Sequence, residues 1–258
     1  MTRFRPFPDA TPRYRRGFTL TELTVVLVIV GLLLAGLLPT LGAQTDRQRT
    51  RDTQAILDKT LEALLGFAAA HGRLPCPAVD GATGEEAPPG GDDCATFSGN
   101  FVGYVPGITL SIGPTDAKGY VLDAWGNRLR YAVTEANMHA FTNAGSVGNP
   151  NTLRTSWSAG LSPDIVVCPD AVDITATACG SPPSLTGNAA AILVSVGKNQ
   201  QLPPRHAAET ANIDDNRTFV SSLPLPANPP TDNGFDDLVV WLSPHTLYHR
   251  MIAAGRLP

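Results

Sequence analysis

The chain lacks the short patterns on which most catalytic chemistry is built. Its 258 residues contain no G-x-S-x-G elbow, no H-E-x-x-H and no Walker A loop. Cysteine is scarce: there are four, with no C-x-x-C and no histidine at a ligand spacing beside them, which leaves no zinc framework. The histidines, His71, His139, His206, His245 and His249, are scattered. Only His245 and His249 stand four apart, and with no third ligand in view they read as a surface pair. Ser195-Val196-Gly197-Lys198 fits S-x-x-K, but the companion K-T-G triplet is missing. Its surroundings also read as a strand, where that motif would open a helix, so the match is coincidence. No internal repeat is apparent.

What the chain does have is a long apolar run behind a basic leader. Leu23 to Leu38 carries a single polar residue, Thr24. Sixteen helical residues rise roughly 24 Å, and Leu41, Gly42 and Ala43 extend the run to about the thickness of a bilayer core. One acid, Glu22, stands at its start, where a carboxylate beside lipid is costly and points to a function. The first 17 residues hold five arginines and one aspartate, net +4, so the remainder carries −8 against −4 for the whole chain. Arginines ahead of the run place the N-terminus in the cytoplasm and residues from about 44 outside it. An acidic head of this kind is a poor non-specific binder of nucleic acid.

Three ordinary readings of this segment fit less well. A secretory signal peptide would be cut near Ala43, but Leu41 is a poor −3 residue and Glu22 is foreign to an h-region. A twin-arginine signal accounts for Arg15-Arg16-Gly17-Phe18 but not for the acid and the strongly apolar run. A simple uncleaved anchor gives Glu22 no purpose. The junction Arg15-Arg16-Gly17 before Phe18-Thr19-Leu20-Thr21-Glu22 resembles the signal of type IV pilins and pseudopilins. The resemblance implies that a prepilin peptidase cuts after Gly17 and N-methylates Phe18. It implies further that Glu22 meets a neighbour's free terminal amine and sets register between subunits. It also implies that a proline near the end of the run, here Pro39, is in place.

Beyond the run, Leu57, Leu61, Leu64, Leu65 and Ala68 recur at helical spacing, with Gly72 as a C-terminal cap and Pro75 forbidding resumption. Pro39 removes one hydrogen bond and predicts a kink. Residues 72–118 read as a loop region with a short strand near 101–105. Leu122 to Val133 reads as a turn at Gly126-Asn127 leading to a strand, with Leu129, Tyr131 and Val133 on one face and Trp125 as a core aromatic. Residues 137–163 read as irregular or short helix, Ile165–Cys168 as a strand, 190–197 as a buried strand, and 199–234 as turn-rich. Leu238–Leu242 reads as a further strand, and Pro244 to Gly255 as a terminal helix. In an oxidising compartment the cysteines allow three pairings. The local one, Cys76 with Cys94 and Cys168 with Cys179, closes two Gly/Pro-rich loops.

Asp-x-Trp-Gly-Asn at Asp123–Asn127 and Ser-x-Gly at Ser195–Gly197 are similar to pseudopilin segments. Some pseudopilins hold calcium between that second strand and an Asp-rich last strand. Here Asp232, Asp236 and Asp237 are the candidate ligands, although Lys198-Asn199 stands where an aspartate and glycine are usual. The expected fold is α+β: one helix from about 18 to 71, a transmembrane half and an amphipathic half, packed on a small antiparallel sheet with large loops and two disulfides. The expected organisation is a leader at 1–17, a transmembrane and assembly helix at 18–43, and a periplasmic pilin-like head at 44–258. The expected function is a non-enzymatic minor pilin or pseudopilin, anchored once in the inner membrane, processed by prepilin peptidase and partnered by other subunits. It would serve a type IV pilus or a type II secretion pseudopilus. The competing expectation is a membrane-anchored periplasmic enzyme or ligand-binding protein.

Overall fold

The computed structural model describes residues 17–91, 94, 101–145, 152–181, 183–200, 203, 205–227 and 233–258, without the side chains of 34–41 and 43. The chain forms two compact units, one ending at Gln48 and one running from Arg49 to Pro258. A single helix, α1 (Leu20–His71), is assigned without a break through Pro39. In the second unit, Leu57, Leu64, Leu65 and Ala68 are buried and Leu61 packs at the margin of the same core. That is the stripe expected from the spacing. Gly72 ends the helix with φ +76° and donates its N–H to the Ala68 carbonyl, a left-handed cap that glycine adopts freely. Arg256 donates to the carbonyls of Ala69 and Ala70, satisfying acceptors that the last turn leaves open.

The main sheet has the order β1 (Val102–Tyr104), β2 (Arg130–Val133), β5 (Ala191–Ser195) and β7 (Leu238–Leu242), all antiparallel. Tyr131 and Val133, with Leu129 just ahead of the strand, join the core under α1, whereas Ala132 faces the other way. The strand alternation is therefore real, but both faces are covered. The cover is a second sheet that the sequence did not announce, ordered β4 (Thr186–Ala189), β3 (Ile165–Cys168), β6 (Thr218–Val220). Its β3 and β6 run parallel. Ile165, Val167, Ala189 and Phe219 pack against Val102, Ala132, Ile192 and Val194 of the main sheet. The terminal helix, α6 (Pro244–Ala253), places Leu247 and Met251 in the core beside α1. The shorter helices between these strands are α2 (Gly107–Leu110), α3 (Ala136–His139), α4 (Leu153–Ser156) and α5 (Ala207–Ala211).

Three expectations need correcting. One antiparallel sheet becomes two sheets, one of them mixed, because Thr186–Ala189 and Thr218–Val220 are too short to carry a period of their own. The stretch 199–234 is not only turns, since it contains α5 and β6. Trp125 belongs to none of the buried clusters and is half-buried, with an enclosed Nε1 that has no acceptor. The turn that carries it is built around its neighbour. Asp123 Oδ1 accepts from the N–H groups of Trp125 at 2.9 Å and Asn127 at 2.8 Å, and Oδ2 accepts from Ser195 Oγ at 2.7 Å. Asn127 Nδ2 donates to the Gly197 carbonyl, and Ala124 N–H donates to Thr53 on α1. Asp123 thus ties the hairpin turn to the central strand, and its neighbour Ala124 ties the turn to α1.

Both disulfides form in the local pairing, Cys76–Cys94 and Cys168–Cys179. Beside the first lies a buried ion pair, Arg73 with Glu86, making two contacts of 2.7 Å. Glu86 also accepts from the N–H groups of Cys76 and Gly90. The loop region after α1 is therefore anchored by charge as well as by covalent bonds.

Candidate functional site

Two places hold groups whose chemistry the fold leaves open. The first is the start of α1. Thr19 precedes the helix and its side chain accepts from Glu22 N–H, while the Glu22 carboxylate takes the Thr19 N–H and hydroxyl, both at 3.0 Å. This is a capping box, in which residue and third follower satisfy each other's open groups. Glu22 is thus held locally, by a partner that the sequence reading passed over although Thr-x-x-Glu is its signal. Gly17 and Phe18 lie just ahead of the helix, and Phe18 is 86 % exposed. Around them the apolar residues are bare: Leu20, Leu23, every residue from Val25 to Val30, Leu32 and Leu33 all face outward. A helix that is apolar all round is normally buried in lipid or among other helices. Patches of this extent mark an interaction surface.

The second place is an acidic cluster in the head. Asp236 and Asp237 precede β7, and Glu209 reaches them from α5, so that one carboxylate oxygen of each lies within 4.8 Å of the others. Asn199, just past β5, stands at the same small cavity with Glu209 and Asp237. Glu209, Asp237 and Asn199 are buried. The oxygens Glu209 Oε1, Asp236 Oδ1 and Asn199 Oδ1 are enclosed without a hydrogen-bond donor among the described residues. Asp237 Oδ2 accepts from Asn212 Nδ2 at 2.8 Å and Asp236 Oδ2 from Lys198 N–H at 2.9 Å. Burial raises the affinity of all three carboxyls for protons, most strongly at Asp237, where the charges of Glu209 and Asp236 add to it. Gly197 makes the approach possible, because a Cβ there would come within 2.0 Å of Asp236 Oδ1. Orphaned, oxygen-only donors in a site this small suit a hard divalent cation.

Of the expected cation ligands, Asp236 and Asp237 come together, while Asp232 lies outside the described residues. Glu209 and Asn199 were not anticipated. Glu209 sits in a five-residue helix within a turn-rich stretch, and nothing local in the sequence marks it. His245 and His249 are both exposed on α6. Ser195 is fully buried with its hydroxyl given to Asp123, which leaves it no nucleophilic role.

In sequence order, an exposed apolar helical stretch precedes a disulfide-tied α+β unit. Residues 12–38 match the family described as the prokaryotic N-terminal methylation motif, the type IV pilin and pseudopilin signature. The match takes in Gly17, Phe18 and Glu22 and none of the head. No curated protein and no solved structure matches the chain. Proteins with this motif are generally structural rather than enzymatic. The motif also implies an N-terminal signal-anchor, processing by prepilin peptidase and assembly with other pilins. Among the described residues, no helix is long and apolar enough to cross a membrane.

Proposed function

We propose that this chain is a minor pilin or minor pseudopilin, a structural subunit built into or priming a type IV pilus or type II secretion pseudopilus. Residues 1–17 are the leader, 18–43 the transmembrane and assembly helix, and 44–258 the periplasmic head. The observation that carries the proposal is the capped Glu22 at the head of an outward-facing apolar helix, under the methylation motif. Alone in lipid, that carboxylate would cost about 2.5–3.5 kcal/mol if drawn to the bilayer centre. Beside the free amine of a neighbour's Phe18 it becomes a paired ion that sets register, the best-attested use of a buried charge. Mass spectrometry of the mature chain should find methylated phenylalanine at residue 18, and an intact Met1 would remove the proposal. Glu22→Ala should abolish co-purification with sibling subunits while leaving head melting unchanged. Normal assembly of that variant would remove the register role.

Calcium at Glu209, Asp236 and Asp237, with the Asn199 amide oxygen as a further ligand, is the second part of this reading. Its support is the set of donorless oxygens. Bound there, the ion would neutralise repelling carboxylates and clasp the 199–237 stretch to the end of β5. At a hundredfold excess over its dissociation constant, calcium should stabilise the head by about 2.7 kcal/mol. Asp237→Asn should erase that gain. A melting temperature indifferent to both calcium and chelator would exclude the site.

A further inference from the structure

Eleven arginines fall among the described residues, and seven have a carboxylate or backbone carbonyl partner: Arg73, Arg128, Arg130, Arg205, Arg217, Arg250 and Arg256. Of the four without a partner among the described residues, Arg154 stands alone and three are clustered. Arg47, Arg49 and Arg51 are exposed on α1, bracketed by Asp46 and Asp52. We infer that these three arginines form a collar that binds anionic phospholipid headgroups at the outer face of the membrane holding the N-terminal helix. The inference rests on the anchored-helix reading above and adds a partner to it.

Position is the first argument. The arginines follow Ala43, the end of the apolar run, by four, six and eight residues. A helical chain gains roughly 6–12 Å over that distance, and the headgroup layer is about 5–8 Å deep on each side. Arginine side chains bend toward that layer while their stems stay on apolar surface. Angular spread is the second argument. At about 100° per residue, Arg49 points some 200° away from Arg47, and Arg51 about 40° from it. A neighbouring protein meets a helix on one side, whereas a lipid leaflet surrounds it. The guanidinium also matches phosphate with paired hydrogen bonds.

Charge balance is the third. Arginines next to the non-cytoplasmic end of a membrane helix run against the usual bias. Before processing, the five leader arginines outweigh them. No lysine or arginine lies between Phe18 and Arg47, so cleavage after Gly17 leaves the Phe18 terminal amine as the inner positive charge against three arginines on the outer side. The collar then fixes the depth of a helix that has lost its leader arginines.

The test uses the mature full chain in phosphatidylcholine vesicles, with and without about one-third phosphatidylglycerol. Flotation reports anchoring, and hydrogen exchange of amides 44–54 reports the collar. Exchange should slow about tenfold in the anionic vesicles. High salt, and the combined Arg47→Gln, Arg49→Gln, Arg51→Gln variant, should each cancel the difference. Flotation with both vesicle types but equal exchange overturns the collar and leaves the anchor standing. Failure to float with either overturns both. Protection that ignores lipid charge and arises only when sibling subunits are added assigns the arginines to a protein interface and overturns the inference.

Discussion

The two units of this chain handle apolar surface in opposite ways. From Phe18 to Leu33 nearly every large side chain is bare, whereas in the head Leu57, Tyr131, Phe141 and Leu193 are wholly enclosed. Their acids differ in parallel. Glu22 is satisfied by a residue three positions away, Glu86 by Arg73 across thirteen, and Glu209 keeps an oxygen with no donor among the described residues. A segment whose polar needs are met within one turn asks nothing of a tertiary fold and leaves its apolar surface for other molecules. The head spends its apolar surface inward and is held by contacts distant in sequence. The first unit therefore leaves its apolar side chains exposed, and the second encloses its own core.

Glu86→Ala tests that division most severely. It strands Arg73 as a buried, unpaired charge, and such losses cost about 3–5 kcal/mol; urea melting of the head should record it while incorporation through Glu22 persists in the folded fraction. Next comes the paired replacement Cys76→Ser, Cys94→Ser, whose loop closure is worth roughly 3 kcal/mol in the chain-entropy account. Its midpoint should fall by about that much, and an unchanged midpoint would mean that the ion pair alone secures the loop. Asp123→Ala removes the acceptor shared by Ser195, Trp125 and Asn127, and leaving such groups unpaired costs about 1–3 kcal/mol. Amides near Thr53 should exchange faster in that variant, since the hairpin turn is hydrogen-bonded to α1 there. The mildest is Thr19→Ala. Loss of the cap should cost about 1 kcal/mol at the helix start and quicken amide exchange at residues 20–23 only. A fall in head stability with that substitution would contradict the independence of the two units.

The head was legible where the sequence has a period. Leu57, Leu64 and Leu65 announced a buried helical stripe, and Leu129, Tyr131 and Val133 announced a strand face. Ile165–Cys168 and Leu238–Leu242 were plain from their apolar runs, and Gly72 marked the stop of α1. The second sheet was not legible, because Thr-Gly-Asn-Ala and Thr-Phe-Val have too few residues to show alternation. Parallel pairing of β3 with β6 also joins residues some fifty positions apart. Trp125 failed for another reason: its turn is organised by the Asp123 carboxylate, which leaves the indole at the margin. The acidic cluster was half legible, since Asp236 and Asp237 are adjacent in sequence while Glu209 and Asn199 arrive only by folding.

The N-terminal methylation motif, the apolar run and the acid at its start were legible in sequence alone, because a motif and a run are linear properties that need no fold. The local disulfides, Cys76–Cys94 and Cys168–Cys179, were one of three pairings the sequence allowed, and the fold selected them. The second sheet, the Arg73–Glu86 lock, the Asp123 tie and the third acid of the cluster were decided only by tertiary structure. Each depends on which distant residues burial forces into contact, and no local period encodes that choice.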